Sequence, residues 1–282
     1  HAFYRTGGEE PGGLYLAAHD GAGYTKNFFH RPDKAKSQLA FSMAFYVPDG
    51  KICGKNAAMP YDIVTAVFEG DWYDAAQIYR EWALRQVWAS KGPLSLRKDM
   101  PKWFIEHAGG FNLWVQPEAV LPMLKPFADL LDARPLLFTW YNWTTSIGHK
   151  DVPHALPGRG LKESIAGLHD MGYRLLPYLD VRLWDMETGD WPAYAPYAVQ
   201  NRDGSVMNEG DPHWKTGFAV MCPSCAPFRN RIAEVVQSIR RYGFDGAYLD
   251  QITAGSPRLC YHPDHRHPLG GGTHWVDGIR EM

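Results

Sequence analysis

The alternation of strand-like and helix-like segments after Pro101 constrains this chain more than any other feature. "WFIEHAGGFNLWVQ" holds a first strand. "PEAVLPMLKPFADLLD" follows as a helix, with Pro117 near its first turn and Val120, Leu121, Leu124, Phe127 and Leu131 on one side. "RPLLFTWYNW" precedes "GLKESIAGLHDMG", in which Leu161, Ile165 and Leu168 keep helical step and Gly172 closes the segment. The third strand, "YRLLPYLDV", leads through a long excursion from Arg182 to about Ala226. Beyond it lies a helix with Ile232, Val235, Val236 and Ile239 in step, stopped at Gly243, where positive φ is wanted. The fourth strand, in "FDGAYLDQI", is apolar on both parities from Phe244 to Leu249 apart from Asp245, the pattern of a parallel strand covered on both faces.

Repeated strand and helix units predict a parallel sheet. An open nucleotide-binding sheet would often place a Gly-rich phosphate loop after its first strand; Gly109 and Gly110 lie too early and lack a third glycine, which favours a barrel. A closed barrel takes roughly eight strands and about 250 residues. Only four strands fit before Met282. The expected fold class is therefore α/β, a partial (β/α)8 TIM barrel of about four βα units, either a fragment of a longer protein or a half-barrel that must find its other half.

Upstream, "GGLYLAAHD", "SQLAFSMAFYVPDG" and "YDIVTAVFEG" read as strands punctuated by Gly, Pro and Asp. "DWYDAAQIYREWALRQVW" carries Trp72, Ala75, Ala76, Tyr79, Trp82 and Ala83 at helical spacing, and "ASKGPLSLRKDMP" reads as a linker. The expected organisation is a β portion at 1–70, a helical connector and linker at 71–100, and the N-terminal half of a barrel at 101–282.

With 29 Lys plus Arg against 31 Asp plus Glu, no net charge draws the chain to nucleic acid or an anionic membrane, so a neutral partner is expected. No apolar run approaches the roughly 20 residues that span a bilayer, and a soluble protein is expected. The chain begins at His1, which suggests a processed or truncated start. Its 4 Cys are too few for a dense disulfide framework and leave the compartment open. The 11 Trp and 15 Tyr matter more, because many fall near proposed strand ends, where flat rings beside polar groups suit a carbohydrate; the others serve the core.

Side chains at the carboxyl ends of barrel strands converge on the active site. Read outward, those ends offer Trp114 and Gln116; Trp140, Asn142 and Trp143; Asp180, Arg182, Trp184 and Asp185; and finally Asp250 and Gln251. Paired carboxylates suit glycoside hydrolysis: one group attacks or stabilises the anomeric carbon while the other protonates the leaving oxygen. Asp250 is the catalytic candidate, since a carboxylate after a mainly apolar strand has little structural reason to be there. Trp faces would stack on sugar rings and Asn, Gln and Arg would hold hydroxyls; Asp180 also has the alternative role of partner to Arg182 or Arg174.

Past Asp250, "RLCYHPDHRHPLGGGTHW" crowds His262, Asp264, His265 and His267 into one loop. These could supply metal ligands, and Cys222, Cys225, Cys260 and His262 could make a tetrahedral zinc site, but two tight ligand pairs are lacking. The favoured reading is a substrate loop without a metal or other cofactor, in which these side chains bond hydroxyls and Gly270 to Gly272 let the backbone approach a ligand.

"GGLYLAAHD", "FEGDWYDAAQIYREWA", "GFDGAYLDQI" and "CYHPDHRHPLGGGTHW" together resemble a family of glycoside-hydrolase-like proteins of unknown function, nearly end to end. The resemblance implies a β-sandwich ahead of a TIM barrel, here partial. It extends to the retaining α-glycosidase barrels, whose nucleophile is an Asp at the end of the fourth strand, the position of Asp250; their acid/base comes from a later strand and has no counterpart before Met282. The expectation is a glycoside hydrolase acting on a neutral carbohydrate, present as an N-terminal portion. Two other readings are a carbohydrate-binding protein on a hydrolase-like barrel and a metal-dependent hydrolase using the His-rich loop.

Overall fold

The computed structural model of the protein describes residues 2–4, 11–50, 53–54, 56–130, 136–145, 151–210 and 217–282. In chain order its elements are β1 (Ala2–Tyr4), β2 (Gly12–His19), β3 (Lys26–Asp33), β4 (Gln38–Phe45), β5 (Asp62–Glu69), α1 (Trp72–Ala83), α2 (Lys102–Ile105), β6 (Gly109–Leu113), α3 (Pro117–Ala128) and β7 (Leu136–Trp140). There follow α4 (Leu161–Asp170), β8 (Arg174–Asp180), β9 (Leu183–Asp185), α5 (Trp191–Tyr194), β10 (Phe218–Val220), α6 (Ala226–Tyr242), β11 (Tyr248–Asp250) and α7 (His274–Glu281). Two compact units result: His1–Tyr24 with Gly54–Ile105, and Thr25–Cys53 with Glu106–Met282.

In the first unit, β1, β2 and β5 form an antiparallel sheet in that order. Tyr15, Ala17 and Phe68 bury one face of it with Ala75 of α1. α1 starts at a capping box: Asp71 accepts from the Tyr73 N–H at 2.8 Å and Asp74 from the Asp71 N–H at 3.0 Å.

The second unit holds a β3–β4 hairpin, an antiparallel β9–β10 pair inside the excursion before α6, and a four-stranded parallel sheet in the order β6, β7, β8, β11. β7 and β8 are buried along nearly their whole length, as central parallel strands covered on both faces should be. Their core neighbours include Val120 and Leu124 of α3, Leu161, Ile165 and Leu168 of α4, and Phe228, Ile232, Val235 and Ile239 of α6. Truncating one such residue to Ala costs about 2–5 kcal/mol. Leu131, expected on the same side of α3, lies outside the described residues. α6 ends where the sequence indicates, with Gly243 at φ 99°.

β11 departs from expectation. Only Tyr248–Asp250 form the strand and none of the three is buried, whereas the sequence suggests a strand from Phe244 covered on both faces. Asp245 is the reason: it accepts from Arg174 at 2.8 Å and from the Leu175 N–H at 2.9 Å, and it meets His169 at 2.9 Å, so it anchors the entry to the strand. Among the described residues no helix is long and apolar enough to cross a membrane.

Candidate active site

The parallel register fixes which residues share the carboxyl edge of the sheet. Leu113 is opposite Trp140, Trp140 opposite Pro177, Tyr178 opposite Tyr248, and Asp180 opposite Asp250. Trp114, Asn142, Asp180 and Asp250 therefore stand at or just past the ends of four adjacent strands, in chain order, as the sequence predicts.

Asp250 is half-buried and accepts a hydrogen bond from the Tyr178 hydroxyl at 2.7 Å. Burial, then the carboxylates of Asp180 and Asp250, push the Tyr178 phenol well above its ordinary pKa, so it remains a donor at any physiological pH. Around this pair the edge is aromatic. Trp114 stacks on Tyr141 with centroids 3.9 Å apart, Tyr141 on Tyr178 at 4.6 Å, and Tyr178 on Tyr248 at 6.0 Å. Trp114 is 64% exposed, so the outer ring of this ladder has a face open to solvent. Asn142 donates to the Trp114 carbonyl at 2.8 Å, tying the end of β7 to the end of β6.

Asp180 is the more confined carboxylate. One oxygen accepts from the Arg182 and Leu183 N–H groups at 2.9 and 3.0 Å, capping the turn out of β8, and the other accepts from Gln251 Nε2 at 2.9 Å. Gln251 Oε1 accepts in turn from Arg182 at 2.9 Å, and Arg182 grips both oxygens of Glu209 at 2.7 Å. Arg258 bonds the same carboxylate through Nε at 2.7 Å. The hydrogen bonds from Arg182 hold Glu209 below the usual carboxylate range against its partial burial, and Arg258 adds to the effect. Gln251, clamped at both ends of its amide, sits at φ 61°, a left-handed conformation rare outside glycine, immediately after Asp250. The network thus fixes the backbone that carries Asp250.

Three tryptophans read as sugar platforms are core instead. Trp140, Trp143 and Trp184 have no exposed surface, and their indole N–H groups donate to Val115 O, Tyr178 O and Thr188 Oγ1. At the end of β7 the alternation of the strand turns Trp140 inward and leaves Tyr141 on the edge, whereas Trp143 lies beyond the strand and packs against Phe244, and Trp184 belongs to β9. Asp185 is also internal, accepting from the Asp151 and Glu187 N–H groups.

The His-rich loop is likewise turned inward. His265 is buried with Nδ1 3.4 Å from Cys260 Sγ, and His267 Nε2 lies 3.5 Å from Cys222 Sγ. His262 stacks on His265 at 4.0 Å, and Asp264 is exposed. The Gly270 to Gly272 run approaches the chain's own backbone. Gly270 bridges Pro48, Thr25 N–H bonds Gly272 O at 2.9 Å, and a Cβ on Gly271 would collide with the Tyr46 carbonyl.

Sequence reasoning missed Tyr178, Tyr141, Glu209 and Arg258. Tyr178 stands two residues before Asp180 on the same strand, a parity that could have marked it. Glu209 and Arg258 lie in irregular segments with no periodic signal.

The model of the family described as "Domain of unknown function (DUF6259)" matches residues 57–282, and the chain belongs to that family. A Monosiga brevicollis protein with a provisional glycoside hydrolase name is 27% identical over 312 aligned residues, covering 96% of this chain and 25% of its own length. A similarly named protein of Bacteroides thetaiotaomicron is 26% identical over 284 residues, with 96% of this chain and 40% of its own length covered. The chain thus spans well under half the length of these curated relatives. Among solved structures, the α-N-acetylgalactosaminidase NagBb of Bifidobacterium bifidum matches 96% of the chain and 48% of its own, with TM-score 0.66 and 16% identity. The α-galactosidase TtGalA of Thermus thermophilus also matches 96% of this chain and 48% of its own, with TM-score 0.55 and 13% identity. At such identities the likeness is one of fold.

Proposed function

We propose that the protein containing this chain is a retaining glycoside hydrolase acting on a neutral carbohydrate, with Asp250 as its nucleophile. The chain would supply the first four βα units of a (β/α)8 barrel, with part of a β-sandwich ahead of them. The observation that carries this reading is the contrast between the two carboxylates paired across β8 and β11. Asp180 is consumed by backbone N–H groups and Gln251, while Asp250 is half-buried at its strand end against a tyrosine donor and an aromatic ladder. The relatives' provisional names and the glycosidase folds point the same way.

In this mechanism an Asp250 oxygen attacks the anomeric carbon as a second carboxylic acid protonates the departing oxygen. The resulting glycosyl ester is hydrolysed by water, which that same group, now a carboxylate, deprotonates. Trp114 offers the exposed ring face on which a sugar would stack. Asp180, bonded as it is, is not assigned the acid/base role.

The test is hydrolysis of aryl α-glycosides by the whole protein, beginning with galactose and N-acetylgalactosamine. Asp250→Asn should lower kcat by orders of magnitude while preserving ligand binding, and azide should restore turnover with release of a glycosyl azide. An Asp250→Asn protein as active as the wild type would refute the assignment.

A further inference from the structure

Four metal-binding side chains of the second unit, none of them used in the site around Asp250, meet at one place. Cys222 precedes α6, Cys260 lies in an isolated bridge with Gly270, and His265 and His267 flank Arg266, whose φ of 58° reverses the chain so that both rings reach the same place. One ligand atom of each of Cys222, Cys260, His265 and His267 lies within 4.8 Å of all the others. Both thiols have no exposed surface and His265 is 6% exposed.

The imidazoles are oriented for coordination. His265 Nε2 is 2.8 Å from the Pro196 carbonyl, and His267 Nδ1 is 2.8 Å from the Pro268 carbonyl. A carbonyl only accepts, so each of those nitrogens carries a proton, and the opposite nitrogen is the one that faces a thiol and would coordinate. Carbonyl acceptors behind ligating histidines are the usual outer support of a metal site. The sulfur to nitrogen separations of 3.4 and 3.5 Å are close to the edge of about 3.5 Å required by tetrahedral zinc with bonds of about 2.3 Å to sulfur and about 2.0 Å to nitrogen.

We infer that Cys222, Cys260, His265 and His267 form a structural zinc site. Two thiolates and two neutral imidazoles neutralise the dication, and binding Zn²⁺ to the thiol form releases two protons from sulfur to solvent. Four protein ligands complete the tetrahedron and leave no position for a reactive water, so the metal is not hydrolytic. The ligand set differs from the one the sequence suggests, with His265 and His267 in place of Cys225 and His262. The site would pin the segment after β11, which carries Arg258 to its partner Glu209, against the start of α6.

Metal analysis of the whole protein, expressed with zinc available and dialysed, should find about one tightly held zinc per chain. Cobalt substitution should give intense tetrahedral ligand-field bands and a thiolate charge-transfer band. Cys222→Ser and His267→Gln should bring bound metal below about a tenth of the wild-type content, while Cys225→Ser and His262→Gln should retain it. If the ligand variants fail to fold, the wild type decides alone: chelator added in denaturant should release zinc and make Cys222 and Cys260 reactive, whereas Cys225, also buried, should react in denaturant without chelator. Wild-type protein free of zinc and without a cobalt spectrum would overturn the inference. So would a Cys222 to Cys260 disulfide found by mass mapping, or loss of metal in Cys225→Ser.

Discussion

The Tyr178 hydroxyl donates to Oδ2 of Asp250 at 2.7 Å, joining the last residue of β11 to a residue of β8 that lies two positions before Asp180. A phenol held protonated beside a carboxylate restricts its rotation and presents the other oxygen in a fixed direction. Tyr178→Phe should keep the ring stack and lose this bond. Hydrogen bonds to charged groups contribute about 1.5–3 kcal/mol, so kcat/KM should fall by about 10- to 150-fold with the melting temperature little changed. An unchanged kcat/KM would separate Tyr178 from the chemistry.

Trp114 makes a different contribution. Its ring is exposed on the outer side and stacked on Tyr141 on the inner, and on the proposed function it is a binding platform for a sugar face. Removing binding that is equal in ground and transition states raises KM and leaves kcat alone. Trp114→Ala should raise KM about five- to tenfold, the equivalent of about 1–1.4 kcal/mol of stacking. A selective drop in kcat would place Trp114 at the bond being broken.

How much of this site the sequence discloses depends on the kind of signal each residue carries. Asp250 and Asp180 stand out because a carboxylate ending an apolar run is conspicuous, and the order of strand ends follows from the βα repeat. Trp140 and Trp143 mislead because a run of aromatics at a strand end does not by itself say which rings face the core; three residues on, the chain has already left the strand and Trp143 folds back under Phe244 with centroids 5.2 Å apart. The partners of Arg182 are hidden for a topological reason, since Glu209 and Arg258 reach it from loops 27 and, through Glu209, a further 49 residues along the chain. The Cys and His residues are visible as a group, yet which of them converge depends on how the loop folds, including a left-handed Arg266 between His265 and His267 that no spacing rule reveals.

Glu209 also sets an acid limit. Its pKa is lowered in the folded chain, chiefly by the hydrogen bonds from Arg182, so the ionised form is stabilised by folding. That stabilisation is fully present above the ordinary glutamate value of about 4.3 and is lost as pH falls through the lower folded value. Melting temperature should therefore decline from about pH 5 downward, and Glu209→Gln should flatten that limb while lowering stability at neutral pH. Glu209→Ala should do more harm, about 3–5 kcal/mol, because Arg182 is 3% exposed and would remain a buried charge without its main partner. Parallel acid limbs for wild type and Glu209→Gln would show that other carboxylates set the limit.

Asp245 and Asp250 stand at opposite ends of one short segment, and their substitutions should separate structure from chemistry. Asp245 receives Arg174 and the Leu175 N–H and pairs with His169, fixing the entry to β11 on the far side from the site. Asp245→Ala leaves the Leu175 N–H without its acceptor at a position only 9% exposed and takes one partner from Arg174, whose side chain is 42% exposed, at a cost of about 1–3 kcal/mol. The folded fraction should nonetheless keep its kcat. Asp250→Ala removes one acceptor from Tyr178 at a half-buried edge and should cost about 1 kcal/mol or less, yet abolish turnover. Chemical denaturation and active-site-normalised kcat measured on both variants give the comparison. If Asp245→Ala lowers normalised kcat as far as Asp250→Ala does, the strand end is too mobile to act as a preorganised nucleophile and the assignment of Asp250 loses its structural basis.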